Sequence, residues 1–421
     1  MTTPVVTSDE APAPAPPRNP LAAAFTNYVA KVRGGDVGSL PAVLGLIVLL
    51  IVFTALRPET FINSFNFANL IHQAAAVIII AMGLVFVLLL GEIDLSAGYA
   101  AGAAAAVMGI VSTNWGWPWY LAILACLVTG AVIGAFIGVL VSRLGIPSFV
   151  VTLAMFLALQ GVLLQLIGEG GTIPIRDSTL LAINNNDMPV WLGWLLYVIV
   201  VVGYAVVVLR RGAARRKMGL QFEALQVTIF KIVTLAVLLG AATYYLSTER
   251  SRNPAVTSIK GVPIVVAILL VLLVGLTFLL TRTSFGRHVY AVGGNAEAAR
   301  RSGINVPGIK WICFIIGSTL AATGGIMIAS RDNSISPSTG GASTLLYAVG
   351  AAVIGGTSLF GGKGRVADAI LGGLVIAIII NGMGLLNQPS AVVFMVTGLV
   401  LLVAASVDAI SRRRAAATGR V

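Results

Sequence analysis

The chain has 421 residues, 58% hydrophobic and only 10% charged, and its mean hydropathy is strongly positive. That composition excludes an ordinary soluble domain and points to a polytopic membrane protein. A formal net charge of +12 would suit a nucleic-acid binder, but the basic residues lie between apolar runs, where they set topology, so no nucleic-acid partner is expected.

The first 20 residues, MTTPVVTSDEAPAPAPPRNP, are rich in Pro and Ala and lack an apolar core. With the lead-in up to residue 39 they read as a disordered cytoplasmic tail. The first apolar run begins near Leu40 without a following small-residue cleavage pattern, so no cleavable signal peptide is expected.

A helix needs about 20 residues to cross ~30 Å of hydrocarbon. Twelve stretches meet or approach that length: 40–56, 68–90, 95–113, 119–142, 147–168, 189–209, 226–247, 261–281, 307–329, 343–360, 365–387 and 390–408. Several are short or broken by Gly and are candidates for re-entrant segments. They predict one all-α polytopic membrane domain over 40–410, followed by a basic cytoplasmic tail at 411–421. With the N-terminus inside, 19 of the 27 Lys and Arg residues fall on the inner side and 6 on the outer. Lys231 and Lys310 lie near inner ends of spans, where long side chains snorkel. This bias predicts both termini in the cytoplasm.

Gly130, Gly134 and Gly138 recur on one helix face, as do Gly98 and Gly102, a spacing that lets helix backbones approach closely. Cys126 and Cys313 both fall in apolar segments and read as core, not as a disulfide or a metal site. Trp115, Trp117, Trp119 and Tyr120 read as an aromatic belt at a membrane boundary. A weak internal echo matches Gly91, Leu95 and Gly98 to Gly355, Leu359 and Gly362 in spacing, as internal repeats in transporters do.

Several chemistries are missing. FGGKGR at Phe360–Arg365 fails as a P-loop, because Thr357 stands where Gly is needed and Gly364 follows Lys363 in place of Ser or Thr. The two His residues, His72 and His288, have no acidic cluster near them, so neither a catalytic site, a metal nor a cofactor is expected. No span carries a central carboxylate–cation pair of the kind ion-coupled transport uses. Glu92, Asp94 and Asp368 are expected near inner span ends, where water keeps acids hydrated. Both a secondary transporter and a membrane-embedded enzyme are therefore disfavoured. Gln73, Gln160, Gln165 and Asn381 are the candidates for a polar substrate path, since amides exchange hydrogen bonds with hydroxyls at no cost in buried charge. The competing role for each is hydrogen bonding between helices, worth about 0.6 kcal/mol on average.

The stretch Ser284–Pro307, SFGRHVYAVGGNAEAARRSGINVP, is a polar island between two apolar runs. Asn295 can N-cap a short helix, Glu297 then sits in its first turn, and Arg300 and Arg301 fall in its last. Gly303 supplies a left-handed C-cap, and Pro307 blocks continuation. Such a helix is too short to stand alone in water, so it must rest against something. It reads as an ordinary loop or as a docking peg for a soluble partner.

Glu297-Ala298-Ala299 followed by Gly303 resembles the EAA-x-x-x-G pattern of the coupling loop in bacterial ABC importer permeases, although the family's more distal I-x-L-P element is absent. Together with GEIDLSAG at Gly91–Gly98 and GIPSFVVTLAMF at Gly145–Phe156, the stretch is similar to the permeases of the ribose/xylose group of sugar importers, over about residues 60–410. The resemblance implies an import permease for a monosaccharide in the bacterial inner membrane, non-catalytic itself. It also implies three protein partners besides membrane lipid: an ATPase subunit on the cytoplasmic side, an extracytoplasmic sugar-binding protein and a second permease copy. Coupling to the ATPase would run through Gly294, Asn295, Glu297, Ala298, Ala299, Arg300 and Gly303 of the 284–307 loop. An extra helix pair at 189–247 around RRGAARRKMGL is a feature of the longer, xylose-type members, which points to D-xylose, with ribose, galactose or arabinose as alternatives.

Overall fold

A computed structural model of the chain describes Thr26, residues 38–218 and residues 224–417. Most of the expected N-terminal tail at 1–39, and residues 418–421 of the expected basic tail, lie outside the described residues. All twelve apolar stretches are helical: α1 Leu40–Leu56, α2 Ser64–Leu89, α3 Ala97–Gly109, α4 Trp119–Ser142, α5 Ser148–Ile167, a short α6 Ser178–Asn185, α7 Val190–Lys217, α8 Leu225–Ser247, α9 Ile264–Arg282, the polar pair α10 Ser284–Gly294 and α11 Ala296–Arg301, then α12 Val306–Asp332, α13 Gly341–Gly355, α14 Val366–Leu385 and α15 Ser390–Ala417. Among the described residues, nine are long and apolar enough to cross a membrane. The protein is an all-α polytopic membrane protein. Two-residue strands β1 Ile173–Pro174 and β2 Ser334–Ile335 pair antiparallel at the end opposite the basic loops.

The centre is built from α2, α12 and α14, in which 83%, 67% and 72% of the spanning windows are buried inside the protein. Two of the glycine stripes lie where backbones touch. A Cβ on Gly134 would lie 2.4 Å from the Phe314 carbonyl oxygen and one on Gly130 2.6 Å from Ala322 Cβ, so α4 and α12 meet backbone to backbone. The Trp311 indole N–H donates to the Ala135 carbonyl across the same seam at 3.1 Å. Gly98 and Gly102 instead accommodate the Thr339–Gly341 turn, since Cβ atoms there would come within 2.3 and 2.2 Å of its carbonyl oxygens.

Helices α3 and α13 are only 13 and 15 residues long, and each is fed by a non-helical segment. Irregular backbone is tolerable at membrane depth only if its polar groups find protein partners. In the 90–96 segment Ile93 donates its N–H to Ser148 Oγ at 3.2 Å, and its carbonyl accepts from Thr152 Oγ1 at 3.1 Å.

The acids of this region are not hydrated as expected. Asp94 is 1% exposed and Asp368 2%. Asp94 is held by the backbone N–H and hydroxyl of Ser96, at 2.8 and 2.6 Å. Asp368 accepts the Arg365 N–H at 2.7 Å and pairs with the Arg365 guanidinium in the first turn of α14, where the helix dipole favours an anion. Glu92 is half-buried and paired with Lys310 at the start of α12, so Lys310 closes an ion pair in place of snorkelling. Local hydrogen bonds and a helix end hold these groups, although only Oδ1 of Asp94 is engaged: its Oδ2 is buried without a protein partner.

Helices α7, α8 and α15 ring the centre, with only 6%, 11% and 6% of their windows buried. The α7–α8 pair is tethered at the end away from the basic loops, where a buried Arg250–Asp187 ion pair of 2.6 Å and a small cluster of Ala68, Met188, Leu246 and Val262 hold it. Trp115, Trp117, Trp119 and Tyr120 lie exposed at that same end.

Candidate functional site

The polar island folds into two helices. Asn295 ends α10 and N-caps α11, its side-chain oxygen accepting the Ala298 N–H at 2.9 Å. At the far end Gly303 has φ +83°, the Gly303 N–H reaches the Arg300 carbonyl at 3.0 Å, and the Ile304 N–H reaches the Ala299 carbonyl at 3.1 Å. These two bonds make a Schellman closure, which explains how six residues hold a helical shape. Pro307 occupies the first turn of α12, with Asn305 capping that helix through the Gly308 N–H at 3.0 Å.

Glu297 pairs with both Arg300 and Arg301 on the exposed side of α11. The Arg300 hydrogen bond, then that from Arg301, holds the Glu297 carboxyl below its ordinary value. Ala298 is exposed, but Ala299 is 5% exposed and turns inward, so it seats α11 on the body and cannot also face a partner.

Helix α10 lies against two loops, 90–96 and 356–365. Gly293 is the contact point: a Cβ there would lie 1.8 Å from the Leu89 carbonyl oxygen and 2.8 Å from the Gly362 N. The Gly362 N–H itself donates to the Leu89 carbonyl at 2.9 Å, and the Tyr290 hydroxyl donates to the Gly364 carbonyl at 2.7 Å. The loops that follow Leu89 and Gly355, which echo each other in sequence, therefore meet at one place under α10. Helix α10 thus touches both the segment that leads into α3 and the segment that leaves α13.

At the opposite end of the molecule a cavity of about 300 Å³ opens between α2, α6, α12 and the start of α13. That size is at the low end for small-molecule sites. Its polar lining includes His72, Gln73, Arg331, Asp332, Thr339 and Tyr347, over an apolar floor of Ala76, Val77 and Ile380. Asn184 is spent on structure, donating to the Met327 carbonyl at 3.0 Å. Gln73 differs: its side-chain oxygen is buried and has no protein hydrogen-bond partner.

The four amides singled out in sequence do not converge. Gln73 lines the cavity. Asn381 is buried and forms a reciprocal pair with Asn66, both bonds 2.9 Å, which matches interhelical bonding. Gln160 is half-buried and Gln165 exposed on α5, and neither lines the cavity.

Residues 66–405 match the family model described as branched-chain amino acid transport system / permease component. The chain belongs to this permease family. It is 36% identical over 372 residues to the xylose transport system permease protein of Escherichia coli (strain K12), covering 88% of this chain and 92% of the relative. The corresponding xylose protein of Haemophilus influenzae is 34% identical over 371 residues, 88% of this chain and 96% of the relative. The ribose import permease protein of Escherichia coli (strain K12) is 29% identical over 371 residues, 87% and 92% of the two chains. No solved structure matches.

Sequence reasoning about this permease missed Gly293, Tyr290, His72 and the 331–347 side of the cavity. A signal existed for Gly293, because a Gly pair inside a helical stretch lowers helix propensity and marks close backbone approach. None existed for the cavity, whose walls come from segments more than 250 residues apart.

Proposed function

We propose that this permease is the membrane-spanning subunit of an ATP-driven importer that moves D-xylose inward across the bacterial inner membrane. The observation that carries this reading is similarity along nearly the whole chain to two xylose permeases, 36% and 34% identical. In it the α10–α11 face seats a separate ATPase on the cytoplasmic side. The 300 Å³ cavity, at the other end, receives sugar from an extracytoplasmic binding protein, with Gln73 offering its unpaired oxygen to a sugar hydroxyl. The permease works as a pair of copies and draws its energy from the ATPase, having no nucleotide site of its own. Proteoliposomes holding the permease, its ATPase and its binding protein should take up labelled xylose on ATP addition. Preferential uptake of ribose, arabinose or galactose would overturn the substrate, and uptake without the ATPase would overturn the mechanism.

A further inference from the structure

The basic ends of α7, α8 and α9 do not close on one another. They enclose an open cavity of about 600 Å³ lined by Arg211 and Arg215 of α7, Arg282 of α9, and Lys231 of α8, with Tyr204 and Thr281 beside them, the Thr281 hydroxyl being spent on the Thr277 carbonyl at 2.7 Å. No carboxylate lines it among the described residues. Lys231 has an interaction of its own, so the positive charge is argued from the three arginines. All three are exposed and converge from two helices on one space, an arrangement that repels itself unless an anion is shared.

Depth identifies the anion. Arg211 lies 21 residues beyond Val190, the start of α7, which at 1.5 Å per residue is about 31 Å along the helix, one hydrocarbon thickness. Arg282 lies 18 residues beyond Ile264, about 27 Å along α9. The cavity is thus level with the headgroups of one leaflet, and the charge bias makes it the inner one. One turn deeper on the same helix faces the surface turns apolar and outward: Val207, before Arg211, is 45% exposed and Phe278, before Arg282, is 62% exposed. A free phosphate would use the arginines and ignore those residues, whereas a phospholipid uses both.

We propose that this cavity binds the headgroup of an anionic phospholipid of the inner leaflet. Its phosphodiester is held by Arg211, Arg215 and Arg282, and its acyl chains lie along Val207 and Phe278. The bound lipid fills the gap between the basic end of the α7–α8 pair and α9, an end that the Asp187–Arg250 tether does not reach. Basic pockets between spanning helices on the cytoplasmic side are suited to such headgroups.

The test uses the purified full-length permease in nanodiscs of equimolar phosphatidylglycerol and phosphatidylcholine, followed by detergent release and native mass spectrometry. The wild type should retain phosphatidylglycerol over phosphatidylcholine. Arg211→Gln, Arg215→Gln and Arg282→Gln should each weaken retention about five-fold and the triple variant about 100-fold, while Arg143→Gln changes nothing. Arg→Lys at the same three positions should keep most of the binding, which separates lost charge from lost fold. Equal retention of both lipids, or of phosphatidylglycerol by the triple Gln variant, overturns the proposal. So does displacement by millimolar inorganic phosphate, which would mark a plain anion site. A photoactivatable phosphatidylglycerol on the unaltered wild type gives an independent reading. Its label should map to the 204–215, 231 and 278–282 segments, and a label lying only elsewhere also refutes the assignment.

Discussion

Helix α2 and helix α7 are comparably apolar and long, yet 83% of the spanning window of one is buried in protein and 6% of the other. In a soluble protein such a difference would be written in hydropathy. In a bilayer it is not, because lipid tails and protein interiors are equally dry, and close packing replaces hydrophobic gain as the force between helices. Backbone approach carries the information instead. At Gly134 of α4, facing the central α12, an added Cβ meets backbone at 2.4 Å, whereas at Gly203 of α7 it meets nothing within 4 Å.

The same substitution should therefore have opposite outcomes in the two regions. Gly134→Ala forces α4 off α12, an overpacking cost of about 1–3 kcal/mol or more, since the obstacle is backbone. Gly203→Ala should be neutral or slightly stabilising, as Ala is the better helix former by up to about 1 kcal/mol. Thermal melting of both variants in detergent decides. Equal melting temperatures would show that α4 and α12 do not meet as described.

A second matched pair sharpens the contrast within the coupling element. Gly293→Ala places a methyl 1.8 Å from the Leu89 carbonyl, while Gly294→Ala, one residue on, meets nothing within 4 Å. The first should uncouple ATP hydrolysis from uptake in proteoliposomes, and the second should leave both intact. Ala298→Trp should reduce co-purification of the ATPase without lowering the melting temperature, whereas Ala299→Trp should lower it, because Ala299 is buried. If both Trp variants behave alike, α11 does not present the face described here.

The amides give a third, smaller contrast. Asn381→Leu leaves the Asn66 side-chain oxygen without its donor in the interior, while the Asn66 NH2 keeps the Phe61 carbonyl, at a cost of about 1–3 kcal/mol in stability. Gln73→Leu removes a group already lacking a partner, so stability should hold while uptake falls. Gln165→Leu, on the exposed side of α5, should change neither. Melting temperatures and uptake rates measured together separate the three.

These contrasts mark what could be read in advance. The helices were legible because ~30 Å of hydrocarbon demands long apolar runs, and the α11 caps because Asn295 and Gly303 each meet a local backbone need. The turn that holds Asp94 was written locally too: an Asp two residues before a Ser makes the turn that the Ser96 N–H completes at Oδ1, although nothing local partners the buried Oδ2. What stayed hidden was long-range. Nothing near Asn381 announces Asn66, 315 residues away, and nothing near Gln73 announces Asp332. The glycine stripe on α4 signalled a close neighbour, but its spacing could not say that the neighbour was α12.

The smallest expected effect compares the two acids that organise loops at opposite ends of the molecule. Glu249 accepts from the Ser258 hydroxyl at 2.6 Å and from the backbone N–H groups of Ser251 and Ile259 at 3.0 and 2.8 Å. These bonds, the Ser258 hydroxyl first, lower its pKa from 4.5 to about 2. A carboxyl depressed on folding contributes its stabilisation fully above its unfolded value and loses it as pH falls through the folded one. The loop that follows α8 should therefore stay ordered from pH 7 to about 5 and loosen only toward pH 2, read as exchange of the Ile259 amide corrected for intrinsic rate. Glu297 is also depressed, but by exposed Arg300 and Arg301, so salt should screen it while leaving Glu249, whose donors are neutral, unaffected. Raising salt to about 1 M, where the Debye length falls to about 3 Å, should speed exchange around α11 alone. Equal sensitivity at both loops would mean that Glu249 is held by a charge, not by this set of neutral donors.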